Sequence, residues 1–457
     1  MRARRGLISS SFLMLFLPLI LISCSGGGGD APPSLAPQPS GAQPPAPAGL
    51  ILRRDNALIR SQTDGSGQVT LADEPAIIER VVVSGTTVVY EVPQSQSRVG
   101  NIPRDIWAVQ IDGMDRHLVR RSAVPQWFYL LDVIGPWVLH TDRAGPEFSP
   151  PPPSLASILV NGTAPRILSA AVGSGELWQA PNYERQVQGR AIFEFAGNLF
   201  SLLPDGTDLQ QLTFYPPYPH FNEPFTVWLG TRGVVEDKAI YSVIPILEEM
   251  PKLFAVPVGG GPVVQLGTGL EYEILGAIAG SRVVYNRCVL VRVSDPAGGF
   301  NSVLDQCDVV SVLSDGQERV ALTATRDINY VQGAIGEKVI IRRSQRGGTT
   351  DSLFSIPVSG GVETPMLPLS AQDEFVSGIV ADRVILRRPT GLWSLKADGS
   401  GLVQLTADAS DWFSGSTGPF ACFTRGSSAQ HDLWCVPADG SGLATQVETG
   451  AYFVSAL

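Results

Sequence analysis

The chain returns again and again to one short pattern: a bulky apolar strand, an Asp-Gly turn and a second short strand. It reads LWSLKADGSGLVQLT at 392–406, LWCVPADGSGLATQV at 433–447 and LFSLLPDGTDLQQLT at 199–213. The turn recurs at Asp64-Gly65, Asp112-Gly113, Asn161-Gly162, Asp205-Gly206, Gly259-Gly260, Asp315-Gly316, Ser359-Gly360, Asp398-Gly399 and Asp439-Gly440. These nine copies span 375 residues in eight intervals, about 47 residues each, a period suited to a propeller blade. Asp-Gly and Asn-Gly suit two-residue hairpin turns, in which both central residues take positive φ.

Two further strands precede each turn. FVSGIVADRVIL (375–386), YVQGAIGEKVII (330–341) and WFSGSTGPFACF (412–423) share one layout: a strand ending near the glycine, a turn, then a second strand. Each unit therefore has four strands, a to d, with the Asp-Gly turn between c and d. A lone four-stranded sheet cannot cover its own faces, and a radial array buries both against its neighbours. The ends complete each other. The terminal FVSAL (453–457) reads as a strand a with nothing after it, and the stretch 50–71 reads as b, c and d with no a before it. Sharing one blade removes the exposed edge of an open ring. The expected fold is all-β: a single propeller over 50–457, of about nine blades. Eight is the fallback, because propellers usually have four to eight. The 48 glycines and 36 prolines fit a turn-rich chain of this kind.

The N-terminus supplies an address. Arg2, Arg4 and Arg5 precede a sixteen-residue apolar run, 7–22, interrupted by Pro18. That is short for a membrane span and right for a signal-peptide core. LISC (21–24) follows, and resembles the lipobox of bacterial lipoproteins. The resemblance implies a signal peptide over 1–23, lipid on Cys24, and export with a lipid anchor in the outer membrane, since Ser25 is not the Asp that holds such proteins at the inner one. It leaves open the periplasmic or the cell-surface side. Residues 24–49 carry the lipidated Cys and a Gly/Pro-rich tether that cannot build a core. The whole chain has a net charge of −10. Removal of the leader takes away three arginines and no acid, so the body stands at −13. Such a body repels phosphate backbones, and no nucleic acid is expected among its partners.

The c-d hairpin resembles the TolB-like propeller repeat, LWxxxxDGSxxxxLT, and the chain is similar over 50–457 to the related propellers of prolyl oligopeptidases and oligogalacturonate lyase. The resemblance implies fold rather than function. The SPDG usual between strands a and b is absent, and a lipobox and tether stand in place of a separate N-terminal domain.

Chemistry-bearing motifs are sparse. His117, His140, His220 and His431 fall in different repeats, without metal-ligand spacing, so no metal or cofactor is expected. No G-x-S-x-G is present. The D-G-S-G strings read as turns rather than calcium loops, and the sequon at Asn161 reads as a turn as well. Acidic neighbours such as Glu236-Asp237, Glu248-Glu249 and Asp373-Glu374 read as loop charge. Arginine doublets recur on strand b at Arg53-Arg54, Arg342-Arg343 and Arg387-Arg388. They either line a pocket for an anionic glycan or pair with loop carboxylates. The favoured function is a non-enzymatic scaffold that binds an envelope protein or glycan; the alternative is a glycan-active enzyme of the propeller lyase type.

Apart from Cys24 the chain has four cysteines, an even number in an exported body. Pairing Cys288 with Cys307 and Cys422 with Cys435 keeps both bridges within b-c hairpins. The second places Phe423 opposite Trp434, a consistent antiparallel register. The long insertions lie mostly on the face of the b-c and d-a loops, at 93–104, 144–154, 214–224 and 294–305. Long loops on a rigid scaffold carry function. The richest offers Tyr215, Tyr218, His220 and Phe221 as a candidate binding loop.

Overall fold

The computed structural model describes residues 48–457 apart from 95–101, 123–126, 144–153, 169–181, 196, 216–226, 246–249, 295–299, 326, 346–350, 370–375 and 428–429. The chain divides into two compact units, Met1–Ser40 and Gly41–Leu457, and the first lies wholly outside the described residues, Cys24 with it. The described residues hold thirty-six strands in nine antiparallel meanders of four. The ring has nine blades, not eight. Blade 1 is the shared one: Gly49–Arg54 (b), Ala57–Gln62 (c) and Val69–Asp73 (d) are completed by Tyr452–Ala456 (a) from the other end of the chain. Leu50 pairs with Ala456, and Arg53 with Tyr452. Blades 2 to 9 span 80–121, 127–167, 182–211, 227–265, 272–321, 328–369, 376–404 and 412–449. One parallel bridge, Cys307 to Ile328, fuses blades 6 and 7 into an eight-stranded sheet.

Alternation along strand b explains how blades pack. Side chains point in turn toward the preceding and the following blade. Ile51 and Leu58 of blade 1 pack with Tyr90 and Val109 of blade 2. Leu50 and Leu52 pack the other way, with Cys422 and Leu433 of blade 9. Seven further apolar clusters join the remaining neighbours, so the succession returns to its start. The third core position of strand b is filled by fully buried rings in five blades: Tyr90, Phe193, Tyr241, Tyr285 and Phe423. Each contributes roughly 1.5–3 kcal/mol by burial.

The Asp-Gly turn differs from the two-residue form expected from sequence. Gly65 N–H donates to Gln62 C=O and Gln62 N–H to Ser66 C=O, which makes a three-residue loop. Only the glycine has positive φ, 77° at Gly65, while Asp64 does not. The loop is a type I turn closed by a left-handed glycine. The acid instead accepts from the backbone N–H two residues on. Asp64, Asp112, Asn161, Asp205, Asp315, Asp398 and Asp439 all do so. A hydroxyl at that second residue adds a further bond at Asp205 and Asp398. The hydroxyl and the backbone N–H together hold both carboxyls below their ordinary value.

These glycines do more than turn the chain. At all nine seams a Cβ on the turn glycine would meet strand d of the preceding blade or the residue beside it. Gly65 would lie 3.1 Å from Gln446 O, Gly162 3.0 Å from Val119 O and Gly399 2.8 Å from Pro365 O. Gly113, Gly206, Gly260, Gly316, Gly360 and Gly440 dock in the same way on Val69, Leu168, Gln210, Val264, Val320 and Val403. Buried serines reinforce the joint. Ser157, Ser201 and Ser355 on strand c each donate, at 2.5 Å, to a carbonyl of the next blade's loop (Pro204, Val258, Ala397), and Ser394 donates to Ala438. The Leu-Thr that ends strand d has its own task. Thr213, Thr323 and Thr406 accept, through their hydroxyls, the N–H of Leu199, Val309 and Leu392 on strand c. A side chain there continues the ladder where the two-residue strand d stops.

Strand a does not end near its glycine. Gly378 lies inside Val376–Val380, at a register shift between strands a and b. Such shifts occur in eight of the nine blades. There the backbone comes so close to the next blade that a Cβ on Gly378 would stand 2.3 Å from the Phe413 ring.

Both expected disulfides are present. Cys288 lies directly opposite Cys307, and Cys422 opposite Cys435, each pair 4.1 Å apart at Cα. Phe423 faces Trp434, as the register required.

Two outcomes test this architecture. Gly399→Ala places a side chain at φ +80° against Pro365 O and should cost about 2 kcal/mol or more in urea unfolding. Gly259→Ala meets nothing within 4 Å and should stay within about 0.5 kcal/mol of the parent. Replacing both Cys422 and Cys435 with Ala opens a loop with a sequence separation of 13 and should cost about 3 kcal/mol, measured the same way.

Candidate functional site

The ring has two unlike faces. The a-b turns and the Asp-Gly loops share one. Strand b of blade 1 starts there, where Ala48 C=O accepts from Thr63 N–H and Ala48 N–H donates to Thr63 Oγ1. The b-c and d-a connections make the opposite face, and the chain's elaborations stand on it.

Of the residues expected to bind there, Tyr218, His220 and Phe221 lie outside the described residues, as do 144–153 and the central parts of the other long loops. Tyr215 is described and half-buried. It packs on the cluster between blades 4 and 5, while Asn198 grips its backbone from both sides: Oδ1 accepts its N–H at 2.7 Å and Nδ2 donates to its C=O at 3.0 Å. Burial raises its hydroxyl pKa. Tyr215 is thus part of a blade seam. The described histidines do not converge. His117 sits between Asp115 O and Val160 O. His140 is fully buried, receives Arg120 Nη1 at 3.0 Å, and is held at about 3 by burial and then by Arg120, so it is neutral. The His431 ring lies 4.0 Å from Tyr452. Among the described residues no group of three or more His, Cys, Asp or Glu could hold a metal ion.

The arginine doublets have structural partners. The first arginine points toward the following blade: Arg53 donates to Ile78 C=O, and Arg387 donates to Ala409 C=O and stacks 3.5 Å over Trp412. The second points back or onto its own strand c: Arg54 pairs with Glu448 of blade 9, Arg343 with Glu363 over Phe354, and Arg388 lies over Trp393. Arg342 pairs with Asp351. Arg54, Arg342 and Arg343 thus pair with carboxylates, while Arg53 and Arg387 reach backbone carbonyls and Arg388 an indole ring.

Sequence reasoning missed two features of this face. The first is an arm. In blade 6, strands Arg282–Ser294 and Phe300–Leu313 run on past the Cys288–Cys307 pair, which staples their base. Strand a stops opposite Cys288, so beyond it the two strands stand as a ribbon with exposed Val289 and Val303. Their unusual length was readable in NRCVLVRVS (286–294). The second is a cleft of about 640 Å³ at the seam of blades 1 and 2, lined by Glu74, Pro75, Ala76, Val92, Pro93, Gln94, Asp105, Trp107, Arg116 and Arg121. Its groups come from four chain segments, and no single motif announces it.

Buried acids mark the inner part of the same face. Glu91 pairs with Arg104 at 2.6 Å and accepts Leu130 N–H, yet burial outweighs both and holds its carboxyl at about 7. Burial, then the nearby Glu184, raises Glu194 to about 7 as well.

No family model matches the sequence, and no curated protein matches it. Among solved structures it is similar to a protein described as TolB from Agrobacterium tumefaciens, at 14% identity and TM-score 0.28, over 59% of this chain and 80% of that one. It is similar to the oligogalacturonate lyase of Vibrio parahaemolyticus at 9% identity and TM-score 0.32, over 47% and 62% of the two chains. The acylaminoacyl peptidase of Pyrococcus horikoshii is 12% identical with TM-score 0.35, over 81% of this chain and 52% of that one.

Glu194 gives a pH test. Its carboxyl ionises in the unfolded chain near the ordinary value of 4.5 but only at about 7 when folded. Its contribution is therefore complete below pH 4.5 and lost as pH rises to about 7. Glu194→Gln should raise the melting temperature at pH 8 relative to the parent and leave it nearly unchanged at pH 4.5. Thermal melts at the two values check this.

Proposed function

We propose that this protein is an exported, lipid-anchored propeller that receives an envelope protein or glycan on the face of its b-c and d-a loops and performs no chemistry on it. One observation carries the reading: the chain joins the ring at the Asp-Gly face, through Ala48 and Thr63, whereas the arm, the cleft and the exposed rings of Tyr129, Trp412 and Tyr452 stand on the other. The reading takes the face opposite the chain's point of entry as the receptive one. The two disulfides suit an oxidising compartment, and the lipobox at 21–24 supplies the anchor. A stapled ribbon with free edges offers backbone groups for strand addition, and amphipathic rings suit either a protein or a sugar surface.

Cys24→Ala should move the protein from membranes to the soluble fraction. A photo-crosslinking residue at Tyr129 or Val303 should capture the partner in intact cells, and one at Met114 or Leu443, exposed on the Asp-Gly face, should not. Capture from the second pair alone overturns the assignment of faces. A wild-type protein found soluble overturns the anchor.

A further inference from the structure

We propose that the cleft between blades 1 and 2 is a binding site for a neutral saccharide of one to a few rings. The proposal rests on the reading of this face as the receptive one and gives it a ligand class. The cleft's 640 Å³ falls within the range of about 300–1,000 Å³ typical of small-ligand sites. Part of its wall is apolar: the exposed Pro75, backed by the largely buried Ala76, Val92 and Pro93. A small apolar patch of this kind accepts a C–H face of a sugar ring.

The polar part of the wall is fixed in place. Glu74, only 5% exposed, receives Tyr90 Oη at 2.7 Å and Arg116 Nε at 3.2 Å on the same oxygen, Oε1, with Arg116 Nη2 on it too. Arg116 lies with Cζ 4.1 Å from the centre of the Trp107 ring, and its Nε also reaches Tyr90 Oη at 2.9 Å. Asp105 is held by Gln94 Nε2 at 2.8 Å on one oxygen and by Arg121 at 3.4 Å on the other. Gln94 is anchored in turn on Ser122 C=O. Glu74, Tyr90 and Arg116 are thus locked by one another before any ligand arrives, which cuts the ordering cost of binding, while Arg121 stays largely exposed.

The charges select the class. Two carboxylates face two guanidiniums, so the wall is balanced. An anion would draw Arg116 or Arg121 from its pair and leave the buried Glu74 or Asp105 with one partner fewer, and a cation would compete with Arg116 for Glu74; both are costly. Hydroxyl groups require no such exchange. They can donate to the spare lone pairs of Glu74 and Asp105 and accept from the outer N–H groups of Arg116 and Arg121. An uncharged molecule dense in hydroxyls and carrying flat apolar patches meets all of these conditions.

The test uses the full chain in a detergent without a sugar headgroup. Maltose, cellobiose and diacetylchitobiose are titrated calorimetrically, alongside galacturonic acid, an acidic peptide and a basic peptide. At least one neutral saccharide should bind saturably. Arg121→Ala, at an exposed side chain, and Asp105→Asn should each weaken it by about tenfold without lowering the melting temperature by more than a few degrees. Should either variant melt much lower, Gln94→Ala replaces it. Failure of every neutral saccharide to bind, binding of only the charged ligands, or equal binding by folded variants overturns the proposal. Partner capture at Val303 in cells is read separately. Capture that persists while saccharides fail removes the cleft's assignment and leaves the receptive face standing.

Discussion

The turn glycine against the preceding blade is the contact on which the ring depends. A four-stranded sheet in water exposes two apolar faces, and each blade here covers only its neighbours'. The apolar clusters supply the bulk of that attraction, but they are non-directional. Direction comes from the loop at 64–66 and its eight equivalents, which seat a glycine on the neighbouring blade, against backbone at Gly65, Gly162 and Gly399 and against side chains at the other six. The serine bonds across the same joints add direction at about 1 kcal/mol each. Repetition then makes closure the central problem, since a ring with a free edge exposes strands at both ends. Pairing Tyr452–Ala456 with Gly49–Arg54 solves it by tying the two ends of the chain into one sheet.

Much of this was legible in the sequence, for a physical reason. The period came from residues that the seam itself demands: a left-handed glycine, an acid to hold the turn, a bulky strand c beside it. Blade number, shared blade and both disulfides followed from counting and register. The turn type did not, because Asp-Gly satisfies a two-residue and a three-residue loop alike, and only the hydrogen bonds distinguish them. Gly378 misled in a similar way. A glycine reads as a strand end, yet here it permits close approach in mid-strand.

The candidate site was less legible. Tyr215 stood out as an aromatic in a Pro-rich loop, but its ring belongs to the packing of blades 4 and 5. The arginine doublets stood out as repeated charge, and they serve as clasps between and within blades. Glu74, Tyr90, Asp105 and Arg116 did not stand out, because each looks ordinary in its own segment. They meet only where blade 2 packs against the link that leaves blade 1. Residues that come together through tertiary closure leave no spacing signal to read.

The same reasoning accounts for the division of labour between the faces. A loop that must seat its glycine on the neighbouring strand cannot lengthen, since any insertion would lift the glycine from its seat. All nine turn loops accordingly close with a bond from the glycine N–H to the carbonyl three residues before it. The b-c connections seat no such glycine. The arm beyond Cys288 can vary without disturbing a seam, whereas the d-a links place Ala76, Ile78 and Tyr215 in seams. Where elaboration is tolerated, function can accumulate, and where the ring is held together it cannot. The chain joins the ring on the constrained side, at Ala48. Constraint and the chain's point of entry therefore coincide on one face, and the freedom to vary is left to the arm and the b-c connections of the other.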